Sequence, residues 1–247
     1  MTEFWSVPFA GEVVSAAEGM ALFVNPELDE EARVTVLWSS IDGGASIALS
    51  PAIAKTIGIK RVDAISALTE AGVRSALMAA GIILHGADNL FYLLDSAKTA
   101  LIAEADSPHV RRLTDADASH FNAFLDGASE QDLNDAQVEL DHWAVFGAFG
   151  DDGALVSAAS MYPWRDTMIA DIGVLTLDSA RGRGHARSVV RALYRHALGL
   201  GHEPQYRCQL DNTASVALAR ASGLSLFGRW EVVSPNHNEE SDRDDTL

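Results

Sequence analysis

Between Ile169 and Leu200 the chain runs from an apolar strand pattern, Ile169-Ala170-Asp171-Ile172-Gly173-Val174-Leu175-Thr176-Leu177, through Arg181-Gly182-Arg183-Gly184-His185-Ala186, into a long helical pattern. A strand, a two-glycine loop and a helix in that order leave few folds open. The glycines let the backbone turn tightly and let a ligand come close to the amides. Amides that open a helix have no intrahelical partner, and the helix dipole adds positive potential there. Together these make a phosphate site that needs no special side chain. Local charge agrees. From Ser179 through His202 there is no Asp or Glu, yet Arg181, Arg183, Arg187, Arg191 and Arg195 all lie within that span. The last three recur every four residues and share one helix face. Arg181, Arg183 and Arg187 are read as ligand contacts, and Arg191 and Arg195 as a solvated stripe balancing acids elsewhere.

This basic island is unusual because the 247-residue chain carries a formal net charge of −17. Such acidity excludes nucleic acid and anionic membrane surfaces as general partners and would draw in a cation such as an amine, although solubility alone also accounts for it. With 48% hydrophobic residues the chain can bury one large core or two small ones. No apolar run is long and charge-free enough to cross a bilayer, and the start, with Glu3 and no basic region, does not read as a signal peptide. The lone Cys208 rules out an intrachain disulfide, so a cytoplasmic location is expected. The histidines show no metal-ligand spacing, and no metal is expected.

Along the chain, Val34–Trp38 and Ser46–Leu49 read as strands joined by an Asp42-Gly43-Gly44 turn. Ser50-Pro51 reads as an N-cap with proline at the first helical position. A helix is expected from about Asp63 to Ala80, burying Ile65, Leu68, Val73, Leu77 and Met78 and ended by Gly81. Leu90–Leu94 reads as a buried strand. A boundary is expected within 96–107, where an Ala-rich connecting helix fits equally well. This gives an N-terminal α/β accessory domain (1–104), a second domain (105–234) and an acidic, disordered tail (235–247). In the second domain Val110–Leu113 is a strand, and Thr114 with Asp117 forms a capping box heading a helix to Leu125. Strands His142–Phe149, Leu155–Met161 and Ile169–Leu177 follow, then a helix from about Gly184 to Leu200, strand Gln205–Leu210, helix Thr213–Ala221 and strand Phe227–Val233. The tryptophans, Trp38 among them, and Phe91 are read as core.

Nucleotide-loop patterns do not fit the loop. No Gly-Lys-Ser or Gly-Lys-Thr occurs, and Gly182-x-Gly184 lacks the third small residue of the dinucleotide fingerprint. Arg181-x-x-Gly184-x-Ala186 after an apolar strand instead resembles the signature of the GNAT superfamily of N-acetyltransferases. Downstream, Asn212-x-x-Ser215-x-x-Leu218 leading to Gly223-Leu224 resembles that family's second block, with Leu224 in place of the usual Phe. The resemblance covers roughly Val110 to Val233. It implies a mixed, mostly antiparallel central sheet flanked by helices, with acetyl-CoA as cosubstrate. It implies that the backbone of Val174, Leu175 and Thr176 holds the pantetheine arm and polarises the thioester carbonyl. The amides of Arg181, Gly182, Arg183, Gly184, His185, Ala186 and Arg187 would hold the diphosphate, with Asn212 and Ser215 completing the cofactor set. The family's tyrosine acid on the second helix is matched here by Ala219, so protonation of the thiolate would fall to Tyr206, Cys208 or water.

The chemistry so implied is direct transfer of an acetyl group to an amine, which must lose a proton to a base. Asp171 is one candidate, because a carboxylate inside an apolar strand is costly without a partner or a task. Glu139 and Asp141, in the cluster Glu139-Leu140-Asp141-His142-Trp143 just before a strand, are the others. There the aromatic wall could hold a cation, or Trp143 could simply be core. The acceptor is expected to be a small-molecule or peptide amine. The rival readings are an acyl-CoA-binding regulatory or assembly module with weak or lost catalysis, which Ala219 favours, and a phosphate-binding protein of another fold. The N-terminal domain is read as a degenerate copy of the transferase fold, a substrate lid or a dimerisation surface, so a homodimer stays open.

Overall fold

A computed structural model describes residues 3–17, 19–59, 68–105, 107–165 and 167–234. The described residues up to Leu90, together with those from Leu226 onward, form one compact unit, and Phe91–Ser225 form the other. The expected tail, 235–247, and the first part of the expected helix from Asp63, with Ile65, lie outside the described residues.

The first unit starts with a short helix, α1 (Glu3–Ser6), followed by β1 (Glu12–Ala17), β2 (Met20–Val24), β3 (Val34–Ser39) and β4 (Ala45–Leu49). Then come α2 (Pro51–Thr56), α3 (Glu70–Ala79) and β5 (Asp88–Tyr92), the strand that carries the chain into the second unit. Ser50 caps α2 by accepting from the Ile53 amide, with Pro51 at the first helical position. The alternating apolar residues of β2, β3 and β4 meet Val73 and Leu77 of α3 in one core with Leu22, Val34, Val36, Ile47 and Leu49. Met78 does not join them and is 70% exposed. Val73 and Leu77, four apart, already define the buried stripe, and the next residue is turned about 100° away from it.

The second unit holds α4 (Asp95–Ile102), β6 (Val110–Arg112), α5 (Ala118–Asp126), α6 (Glu130–Ala136), β7 (Ala144–Phe149) and β8 (Leu155–Pro163). It continues with β9 (Ile169–Thr176), α7 (His185–Gly199), β10 (Glu203–Gln209) and α8 (Thr213–Ala221). The final strand, β11 (Ser225–Val232), pairs antiparallel with β3 in the first unit's sheet, whose order is β1-β2-β4-β3-β11. Within the second unit the order is β10-β9-β8-β7-β6, antiparallel except for the parallel β9–β10 pair. This is the mixed, mostly antiparallel sheet expected from sequence.

Strand alternation assigns the two faces of that sheet. Val145, Ala158 and Leu175 pack with Phe121 and Phe124 of α5. Phe146, the next residue of β7, meets His196 of α7, ring centroids 5.5 Å apart. Helices α5 and α6 therefore cover one face and α7 the other. The Thr114–Asp117 capping box forms as expected, and Asp117 also pairs with Arg111 at 2.6 Å.

Candidate functional site

Parallel pairing of β9 and β10 runs from Ile169↔Glu203 to Ile172↔Tyr206 and stops there, although β9 continues to Thr176 and β10 to Gln209. β9 stays paired to β8 out to Ser157↔Thr176, so the sheet opens as a V on the β10 side. A cleft of about 650 Å³ occupies this opening. Val174, Leu175 and Thr176 form its back, the 181–187 turn its floor, and Asn212, Ser215 and Leu218 one wall.

Local geometry keeps the floor open. Gly182 and Gly184 have φ of 75° and 85°, a left-handed conformation that other residues adopt only under strain. Gly184 is the N-cap of α7 and supplies no side chain to cap it, and the first turn of α7 carries no acid. The first backbone bond there is from Ser188 to the Gly184 carbonyl, 3.1 Å. Among the described residues the amides of Gly182 through Arg187 make no backbone hydrogen bond. Unpaired amides and the positive end of a 15-residue helix thus face the cleft, which suits an anion.

The named side chains divide. Arg181, Gly182, Gly184, His185, Ala186 and Arg187 all line the cleft, whereas Arg183 is exposed and does not. The Arg181 guanidinium is already engaged, 2.8 Å from Asp132 and 2.8 Å from Asp178. Asn212 has a structural task as well: it caps α8, its side chain accepting from the Ser215 amide at 2.9 Å. Arg191 pairs with Glu104 and donates to the Ser222 carbonyl, as befits the outer part of the stripe.

The opposite wall comes from α6, which the sequence reading missed. Asp132, Asp135 and Ala136 line the cleft from that side. A signal was present: Ser129, three residues before Asp132, accepts from the Asp132 amide at 3.1 Å, the N-cap pattern with an acid at its third position. The end of α6 presses on β9. A Cβ on Gly173 would collide with the Ala136 carbonyl oxygen and lie 3.0 Å from that of Gln137, which itself adopts a left-handed φ of 47°.

The three candidate acids stand apart from the cleft lining. Asp171 is 1% exposed and pairs with Arg207 at 3.1 Å, with Gln205 and Tyr162 each at 3.3 Å. Burial pushes its carboxyl upward, and the Arg207 guanidinium opposes that shift. Glu139 and Asp141 are exposed. Between them and β8, His142 lies with Nδ1 2.8 Å from the Ser160 hydroxyl and its ring 4.8 Å from that of Tyr162. Trp143 is 43% exposed and stacks on His202, so it is not core, and Trp38 is only half-buried. Cys208 is buried and Ala219 fully so.

A mixed sheet that parts over an uncapped helix N-terminus makes an anion-accepting cleft, and the sequence comparison supplies the family. The model of the family described as "Acetyltransferase (GNAT) domain" matches residues 91–225, more than half of the chain. The protein belongs to the GNAT acetyltransferase family. No curated protein matches it in sequence. Among solved structures, it is similar to a GNAT-family acetyltransferase from Novosphingobium aromaticivorans (17% identity, 62% of this chain and 64% of that one, TM-score 0.48). A GNAT-family acetyltransferase from Colwellia psychrerythraea gives 18% identity over 67% of this chain and 63% of that one, TM-score 0.47. The ribosomal-protein-alanine N-acetyltransferase of Brucella melitensis gives 20% identity over 51% of this chain and 98% of that one, TM-score 0.40. The chain thus spans a little under two thirds of the length of the first two.

Proposed function

We propose that the protein is an N-acetyltransferase that moves an acetyl group from acetyl-CoA to an amine by direct transfer. The observation that carries this is the V between β9 and β10, floored by unpaired amides at Gly182–Arg187. The diphosphate sits on those amides. Arg187 adds charge, while Arg181, held by Asp132 and Asp178, shapes the loop more than it binds. The backbone of Val174, Leu175 and Thr176, freed from β10, takes the pantetheine arm, and Asn212 and Ser215 line its other side. Holding both reactants in one cleft supplies the orientation that direct transfer needs.

The acceptor is a small-molecule or peptide amine, drawn by the exposed carboxylates of Glu139 and Asp141. Asp171 is a positioning group: an ion-paired carboxylate 1% exposed fixes Arg207 and Tyr162 rather than meeting solvent or substrate. Tyr206, whose hydroxyl is pushed up to about 12 by burial, stays protonated at neutral pH and is the nearest phenol in sequence to the point where the strands part.

The second reading, an acyl-CoA-binding module without turnover, is favoured by Ala219, a fully buried methyl where the family's acid would stand. One pair of measurements separates them. Titration calorimetry with acetyl-CoA tests the cleft, and release of free thiol with a panel of primary alkylamines, polyamines and short peptides tests turnover. Binding with turnover is expected; binding alone selects the module, and no binding removes both.

A further inference from the structure

We propose that His142 is the base that takes the proton from the acceptor nitrogen. This rests on the acetyltransferase reading and extends it to a residue outside the cofactor set. The V begins beside Gly173, the first position of β9 beyond the last β9–β10 pair. Gly173 carries no side chain, and its neighbours on that face belong to two groups. One is the end of α6, whose Ala136 lines the cleft with its carbonyl pressed against Gly173. The other is β8, where Ser160 pairs with Gly173. The Ser160 hydroxyl is fully buried and 2.8 Å from His142 Nδ1, so it fixes the ring beside the strand that backs the cleft. Tyr162, two residues along on the same face, also meets the ring, centroids 4.8 Å apart.

Like the three acids, His142 lies outside the cleft lining, but it alone of the four is part-buried and held through one ring nitrogen by an uncharged hydroxyl on the strand next to β9. Asp171 is 1% exposed and tied to Arg207, Gln205 and Tyr162. Glu139 and Asp141 are out in solvent. The His142 side chain is 19% exposed, and its Nε2 lies 3.8 Å from a Glu139 carboxylate oxygen that is itself 64% exposed. In the tautomer where Nδ1–H donates to Ser160, Nε2 holds the free lone pair. The acceptor nitrogen bonds to the acyl carbon as the carbon–sulfur bond breaks. Nε2 takes the proton from nitrogen, Glu139 stabilises the imidazolium, and the proton returns through solvent to the departing thiolate. No atom or electron is left over. The titratable groups against the ring are Glu139 on its own loop and Tyr162 on β8, and the Tyr162 hydroxyl leads on to Asp171 of β9 and its partner Arg207 of β10.

The test compares wild type with His142→Gln and Ser160→Ala. Acetyl-CoA affinity is measured first by calorimetry, then kcat against pH with the fastest amine of the panel, and acceptor-free hydrolysis of bound acetyl-CoA. His142→Gln is expected to keep acetyl-CoA affinity within about twofold, to lose roughly a hundredfold or more in kcat, and to lose the acid limb of the profile. Hydrolysis should fall with it, because the same imidazole would activate water. Ser160→Ala should lose about tenfold in kcat with the limb displaced. Unchanged kcat and limb in a folded His142→Gln overturn the assignment while leaving the transferase intact. Should that variant not fold, a wild-type kcat that stays flat into the acid range overturns it instead. Failure of wild type to bind acetyl-CoA overturns both readings.

Discussion

At the scale of single residues the candidate site depends on backbone conformation more than on side-chain chemistry. Gly184, at φ 85°, has open space where a Cβ would go, so it is the left-handed backbone, not crowding at the Cβ, that penalises another residue there. Gly184→Val is expected to cost roughly 1–2 kcal/mol of stability and, by turning the α7 amides, to weaken acetyl-CoA at least tenfold in calorimetry. Unchanged affinity would remove the loop from the binding site. Asp117 gives a stability prediction of a different kind. Arg111 first, and then the Thr114 amide, hold its carboxyl well below the ordinary 3.8. A carboxyl lowered by folding stabilises fully above its unfolded value and loses that contribution as pH falls below it. Asp117→Asn should therefore cost about 1–2 kcal/mol near pH 7. Below about pH 4 the gap to wild type should narrow, by up to about 1.4 kcal/mol per pH unit. Urea unfolding near pH 7 and near pH 3 checks it, and a gap of constant size would contradict the assignment.

At the scale of elements, the strand–loop–helix of β9 and α7 was legible from its residues, and so was α8, whose cap Asn212 announces it. α6 was not read, because its seven residues offer only Leu133 and Ala136 to a core, both partly buried, too few for periodicity to register. Yet α6 supplies a wall of the cleft. Ser129→Ala removes the hydroxyl that accepts from the Asp132 amide and donates to its carboxylate at 2.7 Å. The expected cost is about 1 kcal/mol, with faster amide exchange across residues 130–136 and weaker acetyl-CoA binding. Full protection of those amides in the variant would show that packing against β9, rather than the cap, holds the helix.

For the whole molecule, the described residues fall into two compact units, and the family match covers Phe91–Ser225, the second of them. Ligand binding should register there. Acetyl-CoA at about 100 times its Kd contributes roughly 2.7 kcal/mol to the bound state. Hydrogen exchange is expected to slow in peptides spanning 174–187 and 212–221 and to stay unchanged across 12–49. Protection confined to the first unit would move the site out of the cleft altogether.

What the sequence determined by itself was local. Alternating apolar residues set the strands, two glycines set the turn before α7, and Ser50, Thr114 and Asn212 set caps, because each of these depends on neighbours within a few positions. Periodicity could place Val73 and Leu77 in a core but not decide that Met78 leaves it, since that depends on which side of α3 the sheet occupies. Only the tertiary structure decided that β9 and β10 part after Ile172, that α6 leans on Gly173, and that Arg207 neutralises Asp171. Those are contacts between residues far apart in the chain. No pattern read along the sequence carries them, because burial and pairing belong to the packed molecule.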